Sequence, residues 1–138
     1  MSPDQRRTFL LEGTRTAKVA TTRTDGRPHV APVWFDLEGE QVLFWTDASS
    51  VKGRNIQWNP QVAICVDDDH PPFAFVLLEG RASIISDPDE VRECAQRIAA
   101  RYLGVEDGRA FVERAFGIGD IIVRVPPEHV VALYPVVG

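Results

Sequence analysis

The stretch TAKVATTRTDGRPHVAPVWF, Thr16 to Phe35, decides how this chain folds. Thr16 to Thr22 is rich in β-branched residues, which suit a pleated, half-buried surface. Asp25-Gly26 supplies the backbone freedom of a tight turn, and Pro28 to Phe35 returns as a second strand. Further out, Glu38-Gly39-Glu40 turns the chain into Gln41 to Thr46, so three antiparallel strands make a meander. Upstream, Pro3 to Gly13 reads as a short helix with Phe9 and Leu10 on one side and Gly13 as its stop. Downstream, Ser49 to Trp58 reads as a helix closed by Asn59-Pro60, and Gln61 to Asp67 as a fourth strand. Asp67 to Pro72 must be a loop, because three acids and two prolines do not sit inside a sheet.

Phe73 to Ser86 has the length of a long strand with two unlike faces. Ala74, Val76, Leu78, Gly80, Ala82 and Ile84 form an apolar or small core side; Phe73, Phe75 and Leu77 give way to Glu79, Arg81 and Ser83 on the other. An apolar half-face opposite a core face predicts a second partner, either a ligand or another subunit. Asp87 as N-cap, Pro88 at the first helical position and Glu90 two further on predict a capping box. The apolar stripe Val91, Cys94, Ala95, Ile98, Tyr102 follows at helical spacing and Gly104 ends it. Arg109 to Phe116 adds a shorter helix, Asp120 to Val125 a strand stopped by Pro126-Pro127, and His129 to Tyr134 the last strand. Six or seven strands with inserted helices predict an α+β antiparallel β-barrel, one domain over 1–138.

At 138 residues the chain can bury roughly 70% of its unfolded surface without staples. Its 44% hydrophobic and 25% charged content excludes a disordered protein. No apolar run reaches the roughly 18 residues of a spanning helix, and no secretory leader opens the chain, so the expectation is a soluble cytoplasmic domain with no membrane partner. A net charge of −5 gives no global basic field for nucleic acid. Cys65 and Cys94 form no C-x-x-C and read as buried small hydrophobes in a reducing compartment.

Several chemistries have no residues to carry them. Gly117-Ile118-Gly119 starts like a dinucleotide fingerprint but continues into Ile122 without a βαβ unit. His29, His70 and His129 lack metal-ligand spacing, and Asp67-Asp68-Asp69 reads as a solvated loop. No organised nucleophile is visible, so no catalytic side chain and no metal is assigned.

Thr46 to Asn55, TDASSVKGRN, joins a strand end to a helix start, where free N–H groups favour an anion. Ser49 or Ser50 can cap that helix, while Lys52 and Arg54 oppose its dipole unless a phosphate sits between them. Hydroxyls of Thr46, Ser49 and Ser50 together with two cations are a phosphate-ester donor set. Beside them run Pro32, Val33 and Trp34, then Phe44 and Trp45; Pro32 removes a ladder donor and predicts an edge or an irregularity. A phosphate anchor beside an apolar slot describes a nucleotide-type cofactor site.

The segments DGRPHVAPVWF (Asp25 to Phe35), FWTDASSVKGRN (Phe44 to Asn55), Asn59-Pro60 and LLEGRA (Leu77 to Ala82) together resemble the pyridoxamine-phosphate-oxidase-like split β-barrel superfamily, over nearly the whole chain. Within it the chain is most similar to the small deazaflavin (coenzyme F420) oxidoreductases. The resemblance implies a split barrel and a homodimer with two cofactor sites at the subunit interface. It implies phosphate-binding positions at Thr46, Ser49, Ser50, Lys52 and Arg54 with Asn55 adjacent, and a flavin-like ring against Pro32, Val33 and Trp34. The second subunit would contribute Phe73, Ala74 and Phe75. The Arg- and His-bearing substrate segment of the vitamin B6 enzymes has no counterpart in Ala132 to Gly138, so B6 oxidation is not carried over.

The expected function is hydride transfer between coenzyme F420 and a conjugated small-molecule acceptor such as a quinone, enone or tetrapyrrole. The alternatives are an FMN-binding oxidoreductase of the same fold and a non-catalytic flavin- or haem-binding protein. For haem, His29 and His129 are the testable axial positions.

Overall fold

The computed structural model describes residues 1–134, and the chain from 16 to 38 does not run as one meander there. β1 (Ala17–Thr22) and β2 (Pro28–Val33) form the expected hairpin, with Ala17 opposite Val33 and Thr22 opposite Pro28. At Trp34 the chain leaves that sheet, and β3 (Phe35–Glu38) pairs with β4 (Gln41–Asp47) in another. Pro32 helps to fix the exit: β2 is the edge of its sheet, and a residue without an N–H belongs at an edge. Backbone groups at the crossing find partners on the helix α3 (Pro88–Leu103). The Phe35 N–H donates to the Tyr102 hydroxyl at 3.2 Å, that hydroxyl donates to the Arg15 carbonyl at 2.8 Å, and the Arg101 guanidinium donates to the Phe35 carbonyl.

The expected long strand at 73–86 changes sheets in the same way. β6 (Phe75–Arg81) and β7 (Ser83–Ile85) lie in different sheets, separated at Ala82. The switch resets the alternation, so Ile84, expected in the core, is 39% exposed. The remaining elements are α1 (Pro3–Leu11), α2 (Val51–Trp58), β5 (Gln61–Asp67), α4 (Val105–Ala115), β8 (Asp120–Val125) and β9 (His129–Leu133). Nine strands among the described residues thus form two antiparallel sheets, β2-β1-β5-β6-β9 and β3-β4-β8-β7, the α+β split barrel.

The core lies between the sheets. Val19, Ile64, Val66, Val76 and Leu78 meet Phe35, Val42, Phe44 and Val123, all nearly or fully closed to solvent. The back of the four-stranded sheet, at Leu43 and Ile122, is covered by Val91, Cys94 and Ile98 of α3. Asp87 caps α3 by accepting the Glu90 N–H at 3.1 Å; among the described bonds Glu90 makes no return bond, so the predicted box is half formed. The complete capping box is at Ser2 and Gln5 of α1, where it went unpredicted. Gly80 lets the β8–β9 connection cross β6, since a Cβ there would lie 1.9 Å from the Pro126 carbonyl oxygen.

Among the described residues nothing covers the outer face of the five-stranded sheet. Register lines up Pro32, Lys18, Cys65, Leu77 and Val131 across all five strands, with Phe75 beside Leu133 in a neighbouring row. Val30, Val131 and Leu133 on this side are 66%, 49% and 48% exposed. Cys65, expected to be buried, is half-buried on this face; Cys94 is buried under α3, and both are free thiols. Among the described residues no helix is long and apolar enough to cross a membrane. The end of the tail contrasted with the B6 enzymes, 135–138, lies outside the described residues.

Candidate functional site

The crossing at Trp34 opens a slot. Pro32, Val33, Trp34, Trp45, Lys52 and Ile98 line a cavity of about 170 Å³, and Thr16 with Pro32, Val33 and Trp34 line a second of about 290 Å³. Its aromatic walls are held from behind. The Trp34 ring stacks on Tyr102 with centroids 4.9 Å apart and planes 8° from parallel, and tilts against Phe111 at 5.3 Å. Trp45 meets Phe111 edge-on at 6.1 Å, and its indole N–H donates to the Asp120 carboxylate at 2.9 Å. That carboxylate also accepts the Gly117 N–H at 2.9 Å, so the 117–120 turn, which had looked like a broken dinucleotide motif, serves to fix Trp45.

Lys52 supplies the charge. It is half-buried, and among the described residues its ammonium makes no hydrogen bond and no ion pair. Burial pulls its pKa below the ordinary lysine value of 10.5. A cation held in this way favours an entering anion, because pairing recovers part of the solvation it has lost. Its position follows from the close seating of α2 against the end of β4. A Cβ on Gly53 would come within 2.4 Å of the Asp47 carbonyl oxygen, so only glycine permits this approach.

The expected hydroxyl donors form a closed network that shapes the loop. The Ser50 hydroxyl accepts the Gly53 N–H at 3.1 Å as the N-cap of α2 and donates to the Asp47 carbonyl at 2.7 Å. The buried Thr46 hydroxyl lies 3.1 Å from the Ser50 hydroxyl. Both the hydroxyl and the N–H of Ser49 donate to the Asp47 carboxylate, at 2.8 and 2.7 Å, and hold its pKa below the usual carboxylate value. Asn55 is buried and donates to the Thr21 hydroxyl at 3.0 Å, joining α2 to β1.

Lys52 and Arg54 do not face one another. Two residues apart on a helix, they point about 200° apart around its axis. Arg54 lines a cleft of about 300 Å³ on the other side, with Arg23, Thr24, Asp25, Arg27, Val51 and Asn55. The expectation of one phosphate held between Lys52 and Arg54 therefore does not match this arrangement. Phe73, Ala74 and Phe75 line neither cavity of the slot. Ala74 is buried, Phe75 is half-buried on the uncovered face, and Phe73 is 47% exposed with a positive φ of 60°.

Sequence reasoning missed Tyr102, Phe111 and Ile98 as parts of the slot. Ile98 and Tyr102 were visible as members of an amphipathic stripe, but a stripe does not say which surface it covers.

No curated protein matches the chain in sequence. Among solved structures, it is similar to a conserved hypothetical protein from Mycobacterium tuberculosis at 24% identity and TM-score 0.85, covering 97% of this chain and 85% of that one. It is also similar to a structure described as an F420 reductase, at 29% identity and TM-score 0.65, covering 90% and 94%. A haem storage protein from Vibrio cholerae shares the fold at 19% identity and TM-score 0.76, covering 98% of each chain. A family model described as pyridoxamine 5'-phosphate oxidase matches residues 2–130, in line with two sheets that exchange strands at Trp34 and Ala82: the chain belongs to the pyridoxamine 5'-phosphate oxidase family.

Proposed function

We propose that the protein is a coenzyme F420-dependent oxidoreductase, with the deazaflavin ring against Pro32, Val33 and Trp34 and the cofactor phosphate on Lys52. The observation that carries this reading is the half-buried Lys52 ammonium, without a partner among the described residues, opening onto an aromatic slot. These residues fit a ligand with one anionic and one flat apolar part. The similarity to a structure described as an F420 reductase favours the deazaflavin over FMN.

When bound, the deazaflavin supplies a hydride from its C5 to an electron-poor, conjugated acceptor of the quinone, enone or tetrapyrrole type. The chain's own part is positioning. Lys52 neutralises and anchors the phosphate, while Thr46 and Ser50 hold the start of α2 that carries it. Trp34 and Trp45 give the ring and acceptor a surface that does not reorganise, and they exclude water from it. No side chain is assigned a proton transfer, since solvent can protonate the product.

The protein acts, in this reading, as a homodimer through the uncovered sheet face. The row from Pro32 to Val131 runs directly from the slot across that face, so a second copy seated on it would wall the slot. Phe73, Ala74 and Phe75 are the residues it would bring. Sedimentation as a monomer at micromolar concentration would rule out the shared site.

Fluorescence titration of apo-protein with coenzyme F420 and FMN in parallel tests the cofactor. Tighter F420 binding by about tenfold, lost by about 10- to 100-fold in Lys52→Ala, is the expected result. Preference for FMN would move the same site to flavin chemistry. Binding of neither would overturn the reading.

A further inference from the structure

Trp34 and Trp45 both wall the slot, but they are held in different ways. Trp34 meets two rings, stacked on Tyr102 and tilted against Phe111. Among the described residues Trp45 meets only one, edge-on at 6.1 Å, and its indole N–H donates to Oδ2 of Asp120, the same oxygen that accepts the Gly117 N–H. A ring held by packing alone can turn about its side-chain bonds, whereas a charge-assisted bond at its N–H fixes one orientation. Asp120 is an awkward residue for its own strand. It stands directly opposite Asp47 at the end of the β4–β8 ladder, and like charges so placed weaken an antiparallel pair. Each carboxylate turns to donors of its own, Asp47 to Ser49 and Asp120 to Trp45 and Gly117. The start of α2 is secured separately: the Ala48 N–H donates to the Gly119 carbonyl at 2.9 Å, a backbone bond that no change of the Asp120 side chain removes.

We propose that Asp120 is a positioning residue for binding of the hydride acceptor, acting through Trp45 and leaving the Lys52 anchor untouched. This rests on the cofactor reading of the slot and names the residue that sets one of its walls. With Asp120 in place, Trp45 keeps one orientation beside the cavity of about 170 Å³, so a flat substrate orders no side chain as it binds. Without it, the ring must be ordered at each binding event, which weakens the hydride acceptor and not the phosphate.

The test uses three variants of the full chain. Asp120→Leu keeps the size of the side chain and removes its oxygens, Asp120→Asn keeps one oxygen, and Trp45→Phe keeps a ring and removes the N–H. In apo-protein, the Trp45 indole N–H resonance is assigned by its absence in Trp45→Phe. It should shift upfield and exchange faster in Asp120→Leu, and stay near its parental position in Asp120→Asn. In protein loaded with coenzyme F420, the KM for menadione, a flat quinone, should rise about five- to tenfold in Asp120→Leu, with the cofactor Kd within about twofold of the parent. It should return in Asp120→Asn. Trp45→Phe alone should raise it by a similar factor, and combining it with Asp120→Leu should raise it no further. An unchanged resonance in Asp120→Leu, a parental KM in Asp120→Leu or in Trp45→Phe, or cofactor affinity falling in step with KM would overturn the proposal. The resonance is read without cofactor. A parent that takes up neither F420 nor FMN would therefore refute the cofactor reading, while the spectrum would still decide whether Asp120 holds Trp45.

Discussion

Tyr102→Phe removes one oxygen atom and tests what holds the chain where it changes sheets. The lost hydroxyl accepts the Phe35 N–H at 3.2 Å and donates to the Arg15 carbonyl at 2.8 Å, while the ring remains to stack on Trp34. A hydrogen bond of this kind contributes about 1 kcal/mol net, and a partly buried N–H left without a partner costs a further 1 kcal/mol or so. Arg101 still holds the Phe35 carbonyl, so the crossing loosens without coming apart. The expected destabilisation is about 2 kcal/mol, or roughly 6–8 °C in Tm for a chain of this length. Urea unfolding followed by far-ultraviolet circular dichroism reads this directly, with the m-value unchanged. Tyr102→Ala, which also removes the stacked ring, should cost about 2 kcal/mol more and alter the Trp34 fluorescence. A Tyr102→Phe protein within 0.5 kcal/mol of the parent, a margin set by ordinary surface changes, would show that the hydroxyl does not secure the crossing.

Four further outcomes follow from the structure. Lys52 has a lowered pKa, so binding of a phosphate-bearing ligand should decline as pH rises through that value, starting below 10.5, and Lys52→Arg should extend binding to higher pH; affinity flat to pH 11 would remove Lys52 from the site. Burial disfavours the charged lysine, so its stability penalty is present below the folded pKa and is relieved as pH rises towards 10.5. Phe73→Gly should stabilise the fold by about 1 kcal/mol by relieving φ of 60° in a bulky residue, while Phe73→Ala should not, and equal melting temperatures for the two would contradict the strain argument. Asn55→Ala should cost about 1–3 kcal/mol by breaking the buried bond to Thr21, and a double-mutant cycle with Thr21→Val should return a coupling of at least 0.5 kcal/mol; additive effects would mean that the bond carries no energy.

Much of the fold could be read directly from local pattern. The β1–β2 hairpin followed from β-branched residues around Asp25-Gly26, β5 lies at the limits expected between Asn59-Pro60 and the acidic, proline-bearing loop, and α3 followed from its cap, stripe and closing Gly104. The meander and the single long strand could not be resolved, because residues 28–38 and 73–86 keep extended backbone on both sides of Trp34 and Ala82. An extended segment has the same period whichever sheet it joins, so a change of partner leaves only a faint trace, here Pro32.

The site divides along the same line. Lys52 beside Pro32, Val33 and Trp34 was legible as a cation near an apolar strand, whereas the opposite facing of Arg54, the consumption of the Thr46, Ser49 and Ser50 hydroxyls, and the burial of Asn55 were not. By itself the sequence determined which segments are strands and helices and which family they resemble, because propensity, capping and period act between residues close along the chain. Only the tertiary structure decided that Tyr102, 67 residues beyond Phe35, secures the crossing, and that one short helix turns its two cations to opposite cavities, because those outcomes depend on which surfaces meet in space.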